Sequence, residues 1–231
     1  NTIRAPFHFD DIPQIKLNQN IRIERLGWAE LYDAAARSDL KARAAVYVTF
    51  ALNYWWGKDS VIGYHVVNIA IHLAAGFFAF LLARLTLDQY KRSTQTSPAW
   101  LNNGSMFFIA LVTSLIFTLH PIQIQSVTYI IQRMNSMASM LYLAALVCYI
   151  AGRRESASWK RATYWVLGLL AWGISLASKQ ITVTLPVVIL LYEWFFFQGL
   201  STKWLRRGSP FIIAGIAVVA VLCAIQLAIV G

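Results

Sequence analysis

The sequence predicts an all-α membrane protein, a bundle of about six membrane-spanning helices that follows a segment of interfacial helices. Hydrophobic residues fill 58% of the 231 positions and charged residues only 13%, whereas a soluble domain carries charge on roughly a quarter of its positions. The mean hydropathy is +0.54. In such a chain the net charge of +10 bears first on membrane orientation, and we expect no nucleic-acid partner.

The first sixty residues are too amphipathic for a simple tail. The stretch "LGWAELYDAAARSDLKARAAVYVTFALNYWW" mixes strong helix formers with tryptophan and tyrosine, which is typical of helices at a membrane interface. We therefore expect two domains, an outer loop at residues 1–60 and a six-span domain at residues 61–231. The chain starts at Asn1 and its first residues do not resemble a signal peptide, so we also expect an upstream span to be missing.

Six later segments approach the length of about 20 apolar residues that a helix needs to cross a core of about 30 Å. They are Val61–Leu85, Ser105–Leu119, Ser136–Ala151, Ala162–Ser178, Ile181–Phe197 and Pro210–Val230. The second and third are short, so we expect them to use flanking residues or to stop below the interface.

Basic residues orient these spans. If the spans alternate, one set of loops holds Arg84, Lys91, Arg92, Arg153, Arg154, Lys160, Arg161, Lys203, Arg206 and Arg207. The opposite loops hold only Arg133 and Lys179. By the positive-inside rule the first set is cytoplasmic and residues 1–60 lie outside. We expect an integral protein of the bacterial inner membrane with a periplasmic N-terminal segment, or of the endoplasmic reticulum membrane in a eukaryote.

Two adjacent carboxylates, Asp10 and Asp11 in "PFHFDDIPQI", lie in that outer segment. An exposed turn followed by Pro13 would explain them without chemistry. Alternatively they form a catalytic base or a metal-binding pair, because two close like charges raise one pKa and help a carboxylate to accept a proton. His8 makes a divalent metal possible, although the ligand spacing does not support one.

Other polar residues lie on the same side of the predicted membrane. His120 and Arg133 belong to "LHPIQIQSVTYIIQRMNS", and Lys179 belongs to "SLASKQITVTLP". The two cations either snorkel from helix ends or neutralise a lipid-linked phosphate. In "GYHVVNIAIH", His65 and Asn68 share one helical face, for which packing hydrogen bonds are favoured over ligation or catalysis.

Four stretches together resemble a known family. "FDDIPQIKLNQNI", "FALNYWWGKDSVIGYHVVNIAIH", "HPIQIQSVTYIIQR" and "SLASKQITVTLPVVILLYE" match, in order and spacing, the membrane part of the transmembrane and tetratricopeptide-repeat O-mannosyltransferases and their bacterial relatives. The resemblance implies a helical bundle of the C-type (GT-C) glycosyltransferases. It implies transfer of mannose or a similar sugar from a polyprenyl-phosphate carrier to a protein or other acceptor on the outer or lumenal face. It also implies a downstream repeat domain, which residues 1–231 do not include.

The resemblance also implies roles for individual residues. It implies that Asp10 and Asp11 activate the acceptor and that Arg133, Lys179 and His120 contact the carrier phosphate. A supporting cavity is implied for Tyr64, His65, Asn68, Gln125 and Gln180. No metal ligand and no cofactor other than the sugar donor are assigned, and a divalent metal stays possible.

Three positions depart from the family pattern. Gln125 and Gln180 replace expected glutamates, and Arg43-Ala44 replaces an Arg-Pro pair. An amide keeps the shape of a carboxylate but loses its charge and its ability to accept a proton. The chain is therefore either a lipid-dependent glycosyltransferase, with membrane lipids and a protein acceptor as partners, or a non-catalytic membrane subunit that assembles with other subunits. A transporter is less favoured, because few ionisable residues lie at mid-depth in the spans.

Overall fold

The computed structural model describes residues 2–38, 41–94 and 98–208, together with positions 217, 220, 221 and 224. Within these residues the chain is helical and contains no β-strand. The prediction of an all-α protein is therefore confirmed. The sixth predicted span, Pro210–Val230, lies outside the continuously described residues.

The helices follow one another with short breaks. The α-helices are α1 (Trp28–Ala36), α2 (Ala44–Gly57), α3 (Val61–Ser93), α4 (Asn103–Leu119), α5 (Ile124–Thr128), α6 (Arg133–Arg154), α7 (Ser158–Leu176) and α8 (Leu185–Tyr192). Short 3-10 segments are Thr2–Arg4, Gln19–Ile21, Lys41–Arg43, Pro121–Gln123, Ile130–Gln132 and Gln180–Thr184, and π-helical turns are Ile12–Lys16 and Glu193–Phe197.

Local chemistry fixes both ends of α4. The side chain of Asn102 accepts a hydrogen bond from the Ser105 backbone at 3.0 Å, and the Ser105 hydroxyl accepts one from the Asn102 backbone at 3.1 Å. This reciprocal cap satisfies two N–H groups that the first turn would leave unpaired. Pro121 cannot donate to a continuing helix, and the chain bends there by 50° into the helical stretch that ends at Thr128.

Three helical stretches in the described part are long and apolar enough to cross a membrane, namely Val61–Ser93, Ile130–Arg154 and Gln180–Phe197. The bent pair Asn103–Leu119 and Pro121–Thr128 would make a fourth. The stretch predicted as the fourth span forms α7, which begins with polar and basic residues and does not pass the same criterion. The chain is a membrane protein, and six spans stay a prediction.

Residues 2–60, here called the N-terminal cap, share a hydrophobic core with the membrane helices. Buried side chains from both parts meet in it, namely Ile15, Ile21, Ile23, Ala34, Val46, Tyr47, Phe50, Ala51, Tyr64, Ile130, Ile131, Met134 and Met137. The core crosses the predicted boundary at residue 60. Trp28 and Trp56 keep 89% and 80% of their surface exposed, as expected of rings at a membrane interface.

Around the bundle, α3 packs against α4 and α6, and α6 also packs along α7. Helices α3 and α4 approach closely at Gly76, where a Cβ atom would lie 2.2 Å from the Thr118 hydroxyl. At the end remote from the cap, Arg153 of α6 pairs with Glu193 at 3.1 Å, and Tyr149 donates to Glu193 at 2.6 Å. These bonds attach the end of α6 to the turn after α8.

Candidate functional site

The two adjacent carboxylates lie in different environments. Asp10 is exposed in a turn, whereas Asp11 is fully buried, with 0% of its surface accessible. Bonds from the Asp11 N–H to the His8 carbonyl (3.0 Å) and from the Ile12 N–H to the Phe9 carbonyl (3.1 Å) close this turn. The turn expected under the non-catalytic explanation of Asp10 and Asp11 is therefore present, but it exposes only Asp10.

Asp11 attaches the turn to the start of α6. Its Oδ1 accepts the Ile131 N–H at 2.7 Å, and its Oδ2 accepts the His8 N–H at 3.2 Å. Burial raises the pKa of Asp11, and the bonds from Ile131 and His8 partly oppose that rise. Both carboxylate oxygens of Asp11 thus accept hydrogen bonds from the protein backbone, which suits a role in positioning the turn.

Tyr129 holds the backbone of Asp10. The Asp10 N–H donates to the Tyr129 hydroxyl at 3.1 Å, and the His8 ring stacks on the Tyr129 ring at 4.6 Å. Burial raises the pKa of the Tyr129 phenol, and the nearby Asp10 carboxylate raises it further. Phe9, directly before Asp10, has a φ of +47°, a left-handed conformation that costs energy in a non-glycine residue and is often found at functional sites. The backbone at Phe9 is therefore strained in the conformation that exposes Asp10.

The raised pKa of Asp11 has a consequence for stability. A carboxyl whose folded-state pKa exceeds its unfolded value holds more protons when folded, so its contribution to stability falls as pH rises above about 3.8. We expect the melting temperature of the wild type, minus that of Asp11→Asn, to fall between about pH 4 and 5.5. Thermal unfolding in detergent across this range measures the difference, and a rising difference would contradict the assignment.

Arg133 lies at the centre of a buried polar cluster. Its guanidinium donates to Asn68 Oδ1 at 2.7 Å, Asn53 Oδ1 at 2.6 Å, Thr49 Oγ1 at 3.2 Å and the Tyr64 carbonyl at 2.9 Å. It also lies 4.6 Å from the centre of the Phe50 ring, a cation–π contact. Arg133 is 0% exposed. All four acceptors are neutral. The four hydrogen bonds, rather than an opposite charge, therefore compensate for burying the guanidinium.

This cluster bears on two predictions. Tyr64 and Asn68 do meet Arg133, and Asn68 also donates to the Ile130 carbonyl at 3.2 Å, so the polar face predicted on α3 packs by hydrogen bonds. Arg133 was predicted to contact a carrier phosphate, yet in this arrangement it has no exposed surface. A direct phosphate contact would require it to leave the four acceptors.

Lys179 has a second cation beside it. Lys179 donates to the side chain of Asn135, and Arg43 donates to the thioether of Met134 at 2.8 Å, so consecutive residues of the first α6 turn hold the two cations. The Ala45 N–H donates to the Ala177 carbonyl at 3.0 Å and joins the two chain segments. Burial, and then the charge of Arg43, lowers the pKa of Lys179.

Neither cation has an acidic partner among the residues that the structure describes. The ion pairs in that part of the chain involve His8 and other arginines and lysines. Both side chains are half-buried, and so remain partly accessible. Two adjacent cations that the described residues leave without an acidic partner are suited to bind an anion such as phosphate. We name Arg43 and Lys179 the cation pair.

The other predicted residues are dispersed. The His65 ring nitrogens face two backbone carbonyls, of Val127 at 3.0 Å and of Ala5 at 2.9 Å, so His65 fastens the cap to α5. His120 is exposed and accepts the Ile122 N–H at 3.2 Å, capping the turn after α4. Gln125 is exposed on α5, and Gln180 begins the 3-10 turn after Lys179.

Two cavities adjoin this region. An apolar groove of ≈ 450 Å³ runs between α6, α7 and α8, and its lining includes Trp172, Leu185 and Tyr149. A polar cavity of ≈ 120 Å³ lies between α3, α4, α5 and α6, and Asn135 is part of its wall. Among the described residues no group of three His, Cys, Asp or Glu side chains could hold a metal.

Sequence reasoning missed three members of this site. Arg43 was noted only as a departure from the family pattern, and Tyr129 and Asn135 were not singled out. Their partners, Lys179 and Asp10, are separated from them by 44 to 136 positions in the chain. The signal that could have found Tyr129 and Asn135 is their position near Arg133, at the start of a span, whereas no such signal marks Arg43.

Comparison with curated proteins agrees with the motifs. The chain is 30% identical over 213 residues to "Protein O-mannosyl-transferase TMTC2" of Mus musculus and 29% identical to the protein of the same name from Homo sapiens, covering 88% of this chain and 23% of each relative. It is 26% identical over 209 residues to "Protein O-mannosyl-transferase Tmtc3" of Drosophila melanogaster, covering 84% of this chain and 22% of the relative. The chain thus spans about a quarter of the length of these relatives. The resemblance to the transmembrane and tetratricopeptide-repeat O-mannosyltransferases is confirmed. No family model and no solved structure matches the chain.

Proposed function

We propose that this chain carries the reaction centre of a glycosyltransferase that moves mannose or a similar sugar from a polyprenyl-phosphate carrier to a protein hydroxyl. The observation that carries the proposal is one exposed acid at the same end of the bundle as the cation pair, which has no acidic partner in the described part of the chain. The names of the relatives support the protein acceptor, and the cation pair supports the phosphate carrier.

Asp10 is the group proposed as general base. Its carboxylate is exposed, the strained turn at Phe9 presents it, and Tyr129 fixes its backbone at 3.1 Å. In the reaction the acceptor oxygen bonds to the anomeric carbon of the sugar while Asp10 takes the hydroxyl proton. The bond from that carbon to the phosphate oxygen breaks, and its electron pair stays with the phosphate.

The cation pair is proposed to bind the phosphate. Negative charge grows on this group as it leaves, and preorganised cations stabilise that charge more in the transition state than in the ground state. Arg43 thereby takes the role first expected of Arg133. Lys179 is followed within six residues by Leu185, which lines the apolar groove, and an apolar groove suits the prenyl chain of the same donor.

On this proposal the N-terminal cap faces the outer or lumenal side, and the bundle is of the GT-C type with six spans. The ten basic residues of the opposite loops support this orientation. A bacterial inner membrane with a periplasmic cap, or the endoplasmic reticulum in a eukaryote, would both expose Asp10 to acceptors. No metal is assigned to the reaction.

Binding of a synthetic short-chain prenyl phosphate to the detergent-purified protein tests the phosphate site. We expect Arg43→Gln and Lys179→Gln each to weaken binding by about tenfold, since a hydrogen bond to a charged group contributes about 1.5–3 kcal/mol, and we expect added salt to weaken wild-type binding. Lys58→Gln removes a cation that Glu24 already pairs at 2.7 Å and serves as the matched control. Equal affinity in all four proteins would reject the site.

A non-catalytic assembly subunit is the second candidate. Gln125 and Gln180 favour it, because amides stand where the family has glutamates. Under this alternative the purified protein would copurify with stoichiometric partner subunits and would not bind prenyl phosphate. The same binding measurement therefore separates the two candidates.

A further inference from the structure

Basic side chains gather where α3 and α6 end and α7 begins, at the end of the bundle remote from the N-terminal cap. Six of them lie near these helix ends, namely Lys91, Arg92, Arg153, Arg154, Lys160 and Arg161. The sequence after residue 60 contains three acids, namely Asp88, Glu155 and Glu193. Positive charge therefore exceeds negative charge at this end, and an anion from outside the chain would balance it.

The three acids are already bound within the chain. Glu193 belongs to the ion pair that attaches α6 to the turn after α8. Oε1 of Glu155 accepts the backbone N–H groups of the two residues that follow it, at 3.1 and 3.3 Å. Oδ2 of Asp88 accepts a hydrogen bond from Arg92 Nε at 3.2 Å and another from Arg154 Nη2. One carboxylate therefore serves two guanidinium groups.

A pocket of ≈ 210 Å³ lies between these helix ends and is lined by Leu85, Arg92, Ala151, Arg154, Glu155 and Tyr164. The Nη1 atom of Arg154 is buried and has no hydrogen-bond partner in the described part of the chain. Burying a charged donor without an acceptor costs free energy. The Arg154 side chain lines the pocket and keeps 15% of its surface exposed. A small rotation of its guanidinium would therefore bring Nη1 to an acceptor in the pocket.

The walls of the pocket differ in polarity. Leu85, which ends the apolar run of α3, and Ala151 are apolar, whereas the two arginines offer N–H donors. Such a pocket at the end of membrane-spanning helices suits the phosphate of a lipid, since the apolar wall continues toward the hydrocarbon. Its volume is below the ~300–1,000 Å³ of pockets that hold drug-sized ligands, so it accommodates a phosphate group while the acyl chains lie outside it.

We infer that this pocket binds the phosphate of an anionic membrane lipid, with Arg154 and Arg92 as its ligands. The planar guanidinium suits phosphate because it donates two parallel hydrogen bonds. On the predicted orientation the pocket lies in the cytoplasmic leaflet, which contains anionic lipids. Arg154 is 19 positions after Asn135 on α6, about 29 Å at 1.5 Å per residue, so the inference does not depend on the donor site at the cation pair.

Native mass spectrometry of the detergent-purified chain, titrated with short-chain phosphatidylglycerol or phosphatidylcholine, tests the inference. We expect the wild type to bind phosphatidylglycerol about tenfold more tightly than phosphatidylcholine. Arg154→Gln and Arg92→Gln should each remove most of this difference. Arg92 is exposed, and its loss leaves Asp88 paired with Arg154. Arg161→Gln is the matched control, since Arg161 lies 5.9 Å from the Trp165 ring, outside the pocket, and it should keep the difference.

Each outcome decides between the pocket and its alternatives. If both pocket variants keep the difference, or if the wild type binds the two lipids equally, the inference is wrong. An equal loss in Arg161→Gln would mean that diffuse surface charge, rather than the pocket, selects the lipid. Competition by inorganic phosphate at the same concentration as the lipid would mean a site for free anions.

Two further controls locate the lipid and check folding. Lys179→Gln should keep the preference for phosphatidylglycerol, and its loss there would assign the lipid to the cation pair and overturn the inference. The melting temperature without lipid shows whether each variant is folded. If Arg154→Gln does not fold, Arg92→Gln decides the inference.

Discussion

Asp10→Asn is expected to lower the rate of sugar transfer by about 10²- to 10⁴-fold, the usual contribution of a positioned general base. The amide keeps the size of the carboxylate but cannot accept the acceptor's proton. Because Asp10 is exposed and its backbone makes the bond to Tyr129, the melting temperature should not change. Transfer from a mannosyl prenyl phosphate to an acceptor peptide, followed by mass spectrometry, measures the rate.

The structure shows why the two acids need separate variants. Asp11→Asn would place an amide N–H against the N–H of Ile131 or His8 and destabilise the protein, so the double variant would confuse catalysis with folding. Asp33→Asn is the matched control, since Asp33 lies in the same cap and pairs with exposed Arg37. Wild-type transfer by Asp10→Asn would remove Asp10 from the mechanism.

The second large effect is expected at Arg133. Arg133→Gln strands buried acceptors on Asn53, Asn68 and Tyr64, and each stranded acceptor costs about 1–3 kcal/mol. Because a folded domain is stable by only about 5–15 kcal/mol, we expect a large fall in melting temperature or a loss of folded protein. Thermal unfolding in detergent measures it.

Two comparisons make this prediction specific. Arg37→Gln removes an arginine that is 68% exposed and should leave the melting temperature unchanged. Arg133→Lys keeps the charge with fewer donors and should lie between the wild type and Arg133→Gln. If instead Arg133→Gln melted like the wild type but lost prenyl phosphate binding, Arg133 would contact the phosphate, as the family resemblance first implied.

Apolar run length predicted most of the helices well. The first span was expected from Val61 and α3 begins there, and the last described span was expected to end at Phe197, where the structure ends it. Helix α3 continues eight residues past Leu85 to Ser93, because Lys91 and Arg92, which are poorly suited to lipid, still form helix well outside it. The bend at Pro121 was not predicted, although the chemistry of proline explains it.

The site was harder to predict, because its members come from distant parts of the chain. Sequence spacing identified Asp10 and Lys179 as polar residues on one side of the membrane. It could not show that Asp11 points inward to Ile131 or that Asn53 and Asn68 converge on Arg133. Nor could it show that Arg43 lies beside Lys179. Such pairings depend on how the cap folds over α3 and α6, and hydrophobic periodicity contains no information about this.

The bonds that hold the Asp10 turn also set when the site can form. Tyr129 and Ile131 lie 119 and 120 positions after their partners, and a ribosome adding about 5–20 residues per second needs roughly 6–24 s to make that stretch. Until the start of α6 has emerged and been inserted, the acidic turn lacks these anchors. The Asp10 turn is therefore completed only after α3, α4 and α5 have been synthesised, and a nascent chain that stops before residue 129 would lack both anchors.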